Sequence, residues 1–324
     1  MKKYQPSNEA PLNGILLLIA IGTVGGLLLG GIMYAISKLV YLILIFPLLF
    51  GIAGGYLASF AITKGKIRHP LLAFTMAALI GILIFATYNF AEFNFFKQGL
   101  YEVLKADPEL SHVCQTLNPD QAANIFLTKV TGSPGFWGFM KYQAKIGITI
   151  TKVSRPSSRG IELNETFTWI YFLVELLIFA GVSGAMAFSA ASEPFCERCD
   201  NWYGKKKYVD STDHNKSEQL LWALNRGDYT NAGKLLDLVP HDYPRVDMAV
   251  QQCPSCQEAD LYVELSLVSK NRKGQIESKK LATGLISPSD FQTILESRVR
   301  PTETTDNYEE SADTEIKEIR YEEE

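Results

Sequence analysis

The sequence is poor in the residues that most catalytic motifs need. It holds 4 histidines and 5 cysteines in 324 residues. No H-E-x-x-H pair occurs, which excludes the helical zinc-hydrolase arrangement. No Gly-rich phosphate loop occurs, which excludes a P-loop nucleotide site. No nucleophile stands with a base as a recognisable set, so nothing in the sequence indicates an enzyme. A basic excess is missing as well. The formal charge is −4, and the stretch from Pro301 onward holds ten acids and two bases, leaving +4 for the rest. Neither part is basic enough for nucleic acid to be the main partner.

Uninterrupted apolar sequence is what the chain has in abundance. A bilayer-crossing helix takes about 20 such residues. Four segments qualify: Gly14–Ile36, Leu39–Ile62, Pro70–Ala91 and Trp169–Ala191. The first is longer than a signal-peptide core and runs through "GGIMYAISK" into the second, so it reads as a retained helix. The expected organisation is an N-terminal segment 1–13, helices one to three over 14–91, a loop domain over 92–168, helix four over 169–191, a domain over 192–300 and an acidic tail over 301–324.

Short loops set orientation through their Lys and Arg. Lys2 and Lys3 precede the first span, and "TKGKIRH" between spans two and three holds Lys64, Lys66 and Arg68. Four spans return the chain to that same side, where Arg198 and Lys205 to Lys207 lie. The sequence therefore predicts a multi-pass integral membrane protein with both termini cytoplasmic and the 92–168 loop external.

Small residues recur at helical spacing in the first two spans: Gly22, Gly26 and Gly30, then Gly51, Gly55 and Ser59. They predict close packing of the helical hairpin. In the external loop, "NFFKQGLYEVLK" has helical spacing, and Asn118 with Pro119 suits a helix start. A second short helix is expected from Pro134 to a left-handed cap at Gly147. "ITITKV" and "IELNETF" alternate as a β-hairpin that feeds helix four. Phe136, Trp137, Phe139 and Tyr142 serve either as the core of this small α+β domain or as its contact with the membrane interface. Asn164 begins an N-x-T sequon. Cys114 is unpaired in the chain, which suits a buried thiol or an intermolecular bridge.

After helix four, "NKSEQLLWALNRGDYTNAGKLLDLVP" predicts two short helices around Gly227, with Asp228 as cap and Pro240 as stop. "ADLYVELSLVS" and "QIESKKLATGL" flank "KNRKG" as strand, turn and strand. "SPSDFQTILES" reads as a short helix capped by Ser287 or Ser289. The tail from Pro301 has too little apolar surface to predict a packed fold.

Two C-x-x-C pairs stand in this region, Cys196 with Cys199 and Cys253 with Cys256. Four thiolates on two tight turns suit tetrahedral zinc, and an all-cysteine shell leaves no open position, which marks a structural site. "CERCDNWY" and "CPSCQEADLYVEL" resemble the knuckles of the zinc-ribbon family. The resemblance covers only the cysteine turns and the hairpin after the second pair. It implies a zinc-ribbon-like domain that binds a protein or nucleic acid. Ribbons usually separate their pairs by about 15–20 residues. Here the helical hairpin lies between them, so it is expected as an insertion. His214 and His241 are not spaced as ligands.

Glu175 is the one charge inside a span. It lies six residues after Trp169, roughly 9 Å along the helix at about 1.5 Å per residue. Tyr88 and Asn89 reach the same depth on helix three, and Tyr34, Lys38 and Tyr41 do so on the first hairpin. A structural hydrogen bond or ion pair to one of these is expected, with a proton or ion relay as the alternative.

Together these features describe a polytopic α-helical membrane protein of four spans. It carries a small α+β external domain and a cytosolic α+β zinc-ribbon-like domain. The expected work is non-catalytic: an interaction or sensing module, embedded in membrane lipids, that couples the external domain to a cytosolic protein partner. The second reading is a small homo-oligomeric transporter or channel that uses Glu175.

Overall fold

Long apolar runs become helices in lipid because only a helix satisfies its own backbone there. The computed structural model describes residues 1–39, 42–106, 117–147, 149–150, 161–162, 164–236, 242–256 and 258–298. Tyr41, Cys114, the 155–160 turn, Pro240, His241 and the acidic tail lie outside the described residues. The chain divides into two units. One is residues 6–193, and the other joins residues 1–5 to the region from Pro194.

The helical unit contains α1 (Leu12–Ser37), α2 (Ile45–Gly65), α3 (Pro70–Ala106), α4 (Pro119–Thr131), α5 (Gly135–Ile146) and α6 (Glu165–Ala191). Four of these, α1, α2, α3 and α6, are long and apolar enough to cross a membrane. Their outward faces expose Leu16, Val24, Leu28, Ile52, Phe60, Leu79 and Leu173, as a lipid-solvated bundle requires. The third span and "NFFKQGLYEVLK" are one helix. With no proline between Ala91 and Ala106, and Gly99 alone to weaken it, α3 runs on for 37 residues.

The glycine stripes do not pack α1 on α2, contrary to expectation. A Cβ on Gly22, Gly26 or Gly30 would meet Ile80, Leu83 or Thr87 of α3. A Cβ on Gly51 or Gly55 would meet Val182 or Met186 of α6. Each hairpin helix spends its small face on a helix that comes later in the chain. Within the hairpin, the close approach is at its open end, where a Cβ on Gly14 would lie 2.2 Å from the Gly65 carbonyl oxygen. Arg68, counted among the orienting bases, is largely buried and pairs with Glu9 at 2.7 Å.

Two short helices pack on the extension of α3. Asn118 caps α4 through a reciprocal capping box with Gln121, and Pro119 holds the first turn. Gly147 ends α5 at φ 81° and ψ 170°. The φ is positive as expected, but the extended ψ sends the chain on toward a strand rather than into a left-handed helical cap. That strand, β1 (Thr149–Ile150), pairs antiparallel with β2 (Ile161–Glu162). Phe139 is buried with Phe93, Leu127 and Phe172, and Phe136 and Tyr142 pack on this cluster. Trp137 is instead 57% exposed and packs on Trp169, with ring centroids 5.3 Å apart and planes tilted by 39°. The aromatic set therefore splits between core and surface. Asn164 caps α6 by accepting from the Phe167 N–H at 3.1 Å.

The second unit is built on an antiparallel sheet in the order β5-β6-β7-β8. These are β5 (Lys207–Asp213), β6 (Arg245–Gln251), β7 (Leu261–Lys270) and β8 (Ile276–Ile286). The hairpin of β7 and β8 sits where the sequence places it, around Asn271–Gly274. β5 and β6 lead into and out of the helical insertion of α7 (Ser217–Arg226) and α8 (Tyr229–Lys234). Gly227 takes the left-handed conformation between them, and Asp228 caps α8. α9 (Pro288–Glu296) is capped by Ser287. Leu220, Leu224, Leu236, Met248, Val263, Leu265 and Ile294 form the core between helices and sheet.

The N-terminal segment belongs to this sheet. Lys2 bridges Leu285 of β8, donating and accepting at 3.1 and 2.7 Å. Tyr4 stacks edge-on against Tyr262, and its hydroxyl accepts from the Phe195 N–H at 3.1 Å. Gly284 makes the pairing possible, since a Cβ there would lie 2.8 Å from the Lys2 carbonyl oxygen. The segments that precede α1 and follow α6 thus share one fold. Any membrane crossed by the four helices must be crossed an even number of times.

Glu264 on β7 is buried and takes ion pairs from Lys206 and Lys280 at 2.8 and 2.9 Å. Burial works upward on its carboxyl, but the two ammonium groups outweigh it and hold the pKa below the ordinary range. Such a group contributes stability above the unfolded value of about 4.3, and the contribution is lost as pH falls through the lower folded value. Both lysines are half exposed, so Glu264→Gln should cost only about 1 kcal/mol at pH 7. Urea unfolding of the wild type and variant across pH 7 to 3 should show the gap closing below about pH 4. A gap that persists at pH 3 would assign the loss to packing instead.

Candidate functional site

The four paired cysteines converge. Cys196 is in β3 (Phe195–Cys196), which a tight turn joins to β4 (Asn201–Trp202), with Cys196 opposite Asn201. Asp200 sits at φ 50° in that turn, a conformation that short polar side chains tolerate. The Cys199 N–H donates to the Cys196 carbonyl at 3.3 Å. The second knuckle follows β6 directly and leads toward β7. Asn201 Nδ2 donates to Ser255 Oγ at 3.0 Å, and the Gly204 N–H donates to the Gln252 carbonyl at 2.9 Å. These bonds tie one knuckle to the other.

All four sulfurs lie within 4.8 Å of one another, and Cys196 Sγ is 3.9 Å from Cys256 Sγ. A tetrahedron with metal–sulfur bonds of about 2.3 Å has edges of about 3.8 Å. The separations match such a shell and are far from a disulfide, and the four cysteines are free thiols. Cys196 and Cys253 are buried, and Cys199 and Cys256 are half-buried.

Their proton affinities show the strain of gathering four thiols. Burial pushes the Cys196 thiol up. Hydrogen bonding to Cys256, and then burial, pushes Cys199 up to about 12. Burial also works upward on Cys253, but the Ser255 and Cys256 N–H groups and the thiols of Cys196 and Cys256 bring it below its ordinary value. A divalent cation removes the conflict by letting all four ionise together, with release of their protons. The described residues can hold a metal ion here, and zinc suits the donor set. Phe195 and Trp202 meet edge to face at 5.0 Å beside the centre, and Tyr203 donates to the Asp260 carbonyl at 2.6 Å. His214 is exposed and is not among the clustered ligands.

The polar residues expected at the level of Glu175 separate into two groups. Lys38 pairs with Glu92 at 2.8 Å and lies over the rings of Tyr34 and Phe95. Glu92 has no sequence signal for this role beyond its helical distance from Tyr88. Glu175 is only 2% exposed. With Tyr88, Asn89, Gln143, Tyr171 and Phe172 it lines a cavity of about 260 Å³. The Asn89 amide donates to the Phe85 carbonyl at 2.9 Å. Glu175, Tyr88 and Tyr171 also have interaction partners. Along the same face of α6, Phe179 is fully buried next, and Ser183 donates to the Gly51 carbonyl at 2.9 Å. Ile80, Ile84 and Ala187 close the packing beyond.

A surface groove of about 560 Å³ runs along the insertion between α7 and α8. Trp222, Ala223 and Leu235 supply its apolar wall, and Glu218, Asn231 and Lys234 lie at its polar edge. Trp222 is 56% exposed and carries Arg226 over its ring at 4.4 Å. The sequence marked this helix for its buried leucines and missed Trp222. A tryptophan on the polar side of an amphipathic helix was the available signal.

Compared with known proteins, the chain matches no family model, no curated protein and no solved structure.

Proposed function

We propose that the chain is a membrane-anchored, non-catalytic interaction module. Its zinc-ribbon-like domain faces the cytosol and binds a protein partner. Zinc on four thiolates has no open position for substrate, so its work is to fold the domain. The basic residues of the short loop at Lys64 and Lys66 favour the cytosolic assignment. One observation carries the partner reading: the groove beside Trp222 has an apolar wall and a polar edge, the anatomy of a protein interface. Tryptophan and arginine are the side chains that most often dominate binding energy at such surfaces. The occupant that suits this shape is a short segment of a cytosolic protein with an apolar anchor.

The transporter reading has less support. A relay needs further titratable groups along its path. Beyond Glu175, the packed face of α6 presents Phe179, Ser183 and Ala187.

The test is photo-crosslinking in intact cells, from a photoreactive residue placed at Trp222 and separately at Lys234. Both positions should capture the same cytosolic protein, and a probe at Ile276 should not. Trp222→Glu, probed from Lys234, should reduce that product about tenfold or more, as loss of an interface hot spot does. Its zinc content should stay unchanged. Capture of an extracytoplasmic protein would overturn the orientation. Equal capture from all three positions, or none, would overturn the partner surface.

A further inference from the structure

The groove beside Trp222 has an occupant of matching chemistry within the same chain. A Cβ on Gly233 of α8 would run into the Ile294 carbonyl and Ser297, so the end of α9 lies close against one side of α8. The groove lies along α7 and the other side of α8, at Asn231, Lys234 and Leu235. Arg298 fixes the point where the chain leaves α9. Its guanidinium pairs with the buried Asp210 at 3.3 Å, and its Nε donates to the Leu295 carbonyl at 3.2 Å. The chain from Val299 onward lies outside the described residues. α8 stands between this exit and the groove, and a helix is about 10–12 Å across. Four extended residues, at about 3.3 Å each, span that distance.

The first part of the outgoing segment suits the groove. From Pro301 to Glu315 the sequence holds six acids and no base, and Tyr308 is its one large apolar side chain. The groove offers Trp222, Ala223 and Leu235 as an apolar wall. Its lining carries one base, Lys234, and one acid, Glu218, and Arg226 over the Trp222 ring adds a second base. Tyrosine joins an apolar body to a polar tip and is among the side chains that dominate interface energies. Asp306 precedes Tyr308, and Glu309 and Glu310 follow it, so acids flank the ring on both sides. The later apolar cluster of Ile316, Ile319 and Tyr321 is interrupted by Lys317 and Arg320, which the bases of the groove disfavour. Charge complementarity therefore selects Tyr308.

We infer that the segment around Tyr308 occupies the groove of its own chain, with Tyr308 against Trp222 and its acidic neighbours beside Arg226 and Lys234. The inference rests on the reading of this groove as a partner surface and adds its regulation: the partner must displace the tail. Exposed ion pairs are weak. Tethering makes a weak contact sufficient, because a segment on a short linker acts at about millimolar effective concentration. A segment with an intrinsic Kd of about 0.1 mM would then be about nine-tenths bound and would raise the partner's apparent Kd about tenfold.

The experiment uses the full chain in lipid nanodiscs, with p-benzoylphenylalanine in place of Tyr308, which keeps an aromatic ring at the anchor. Irradiation should join residues of one chain, and the adducts should map to residues 217–235. Trp222→Glu should lower their yield about tenfold or more, with zinc content unchanged. If that variant loses its zinc, Arg226→Glu combined with Lys234→Glu decides, and it should lower the yield severalfold. The same photoreactive residue at Tyr321 should give severalfold less of this product. Adducts between two chains would overturn the inference in favour of a second copy. A yield indifferent to these substitutions, or equal yields from positions 308 and 321, would overturn it as well. The regulation is read in intact cells from a photoreactive residue at Lys234. Tyr308→Ser should raise capture of the cytosolic protein about tenfold. Equal capture with and without Tyr308→Ser would overturn the regulation and leave the partner surface standing. No capture by either chain would overturn the partner surface and leave the tail contact standing on the adducts from position 308.

Discussion

Cys253→Ser should strip the metal from the chain and unfold the sheet domain while the four apolar helices stay inserted. The magnitude follows from linkage. Structural zinc in thiolate shells contributes on the order of 10 kcal/mol or more at neutral pH, and this binding energy is folding energy. A domain's whole net stability is only about 5–15 kcal/mol. The sheet has an apolar core of its own around Met248, Val263 and Leu265, yet it cannot be indifferent to the knuckles. Cys253 follows β6 by two residues, Gln251 Nε2 donates to the Gly204 carbonyl at 2.9 Å, and Tyr203 donates to the Asp260 carbonyl near the start of β7. Loss of the centre therefore releases the end of the sheet where β6 finishes and β7 begins. Elemental analysis should fall from about one zinc per chain to none, as expected for a four-ligand shell cut to three. Trp202, held edge to face with Phe195 beside Cys196, should move its emission to the red, and protease should cut between residues 194 and 298 but spare the helical unit. A metal-free variant with wild-type protease resistance would show that the thiolate centre is not what folds the domain.

Gly81→Leu should destabilise the helical unit, whereas Gly31→Leu should not. Gly81 lies where α3 crosses α6 backbone to backbone. A Cβ there would meet the Phe179 carbonyl oxygen at 2.4 Å, its carbon at 2.6 Å and the Ala180 nitrogen at 2.9 Å. None of these atoms is the end of a flexible side chain, so the helices themselves must separate. Overpacking costs about 1–3 kcal/mol, and a clash confined to backbone should reach the upper end of that range. Separation also disturbs the neighbouring contact of Ser183 with Gly51. Gly31, in contrast, has nothing within 4 Å of its would-be Cβ. Leucine there gains helix propensity of somewhat under 1 kcal/mol over glycine and faces lipid. Denaturation of the two variants in mixed detergent micelles, followed by helical circular dichroism, should separate them by about 3 kcal/mol or more. Equal stability would mean that α3 and α6 do not cross at Gly81 in the membrane.

The sequence by itself determined the features whose physics is local. Four apolar runs long enough for a bilayer became α1, α2, α3 and α6, because a span must satisfy its own backbone within one segment. The caps at Asn118 and Asp228 were legible because each side chain serves an N–H only three residues away, and the structure chose Ser287 over Ser289 for the third. The thiol pairs were legible because their spacing builds a turn, and convergence of the two turns completed the expected set of four. β5 went unread because Asp210, Ser211 and Thr212 of "KYVDSTD" are polar residues that become buried only in the folded sheet. β6 went unread although "RVDMAVQ" buries Val246, Met248 and Val250 in the alternation of a half-buried strand.

Tertiary structure alone decided which surfaces meet. In lipid no hydrophobic force chooses between helix partners, so shape complementarity does, and it is not a property of either helix alone. That is why Gly22, Gly26 and Gly30 of α1 found α3 and Gly51 and Gly55 of α2 found α6, although the hairpin put α1 and α2 side by side. It is also why Lys38 met Glu92 on α3, while Glu175 came to line a cavity with Tyr88 and Asn89. The pairing of Lys2 with Leu285 spans almost the whole chain. A two-residue bridge carries no periodic signal. Its energy comes from an open sheet edge and a glycine at position 284, and both exist only once β8 has folded.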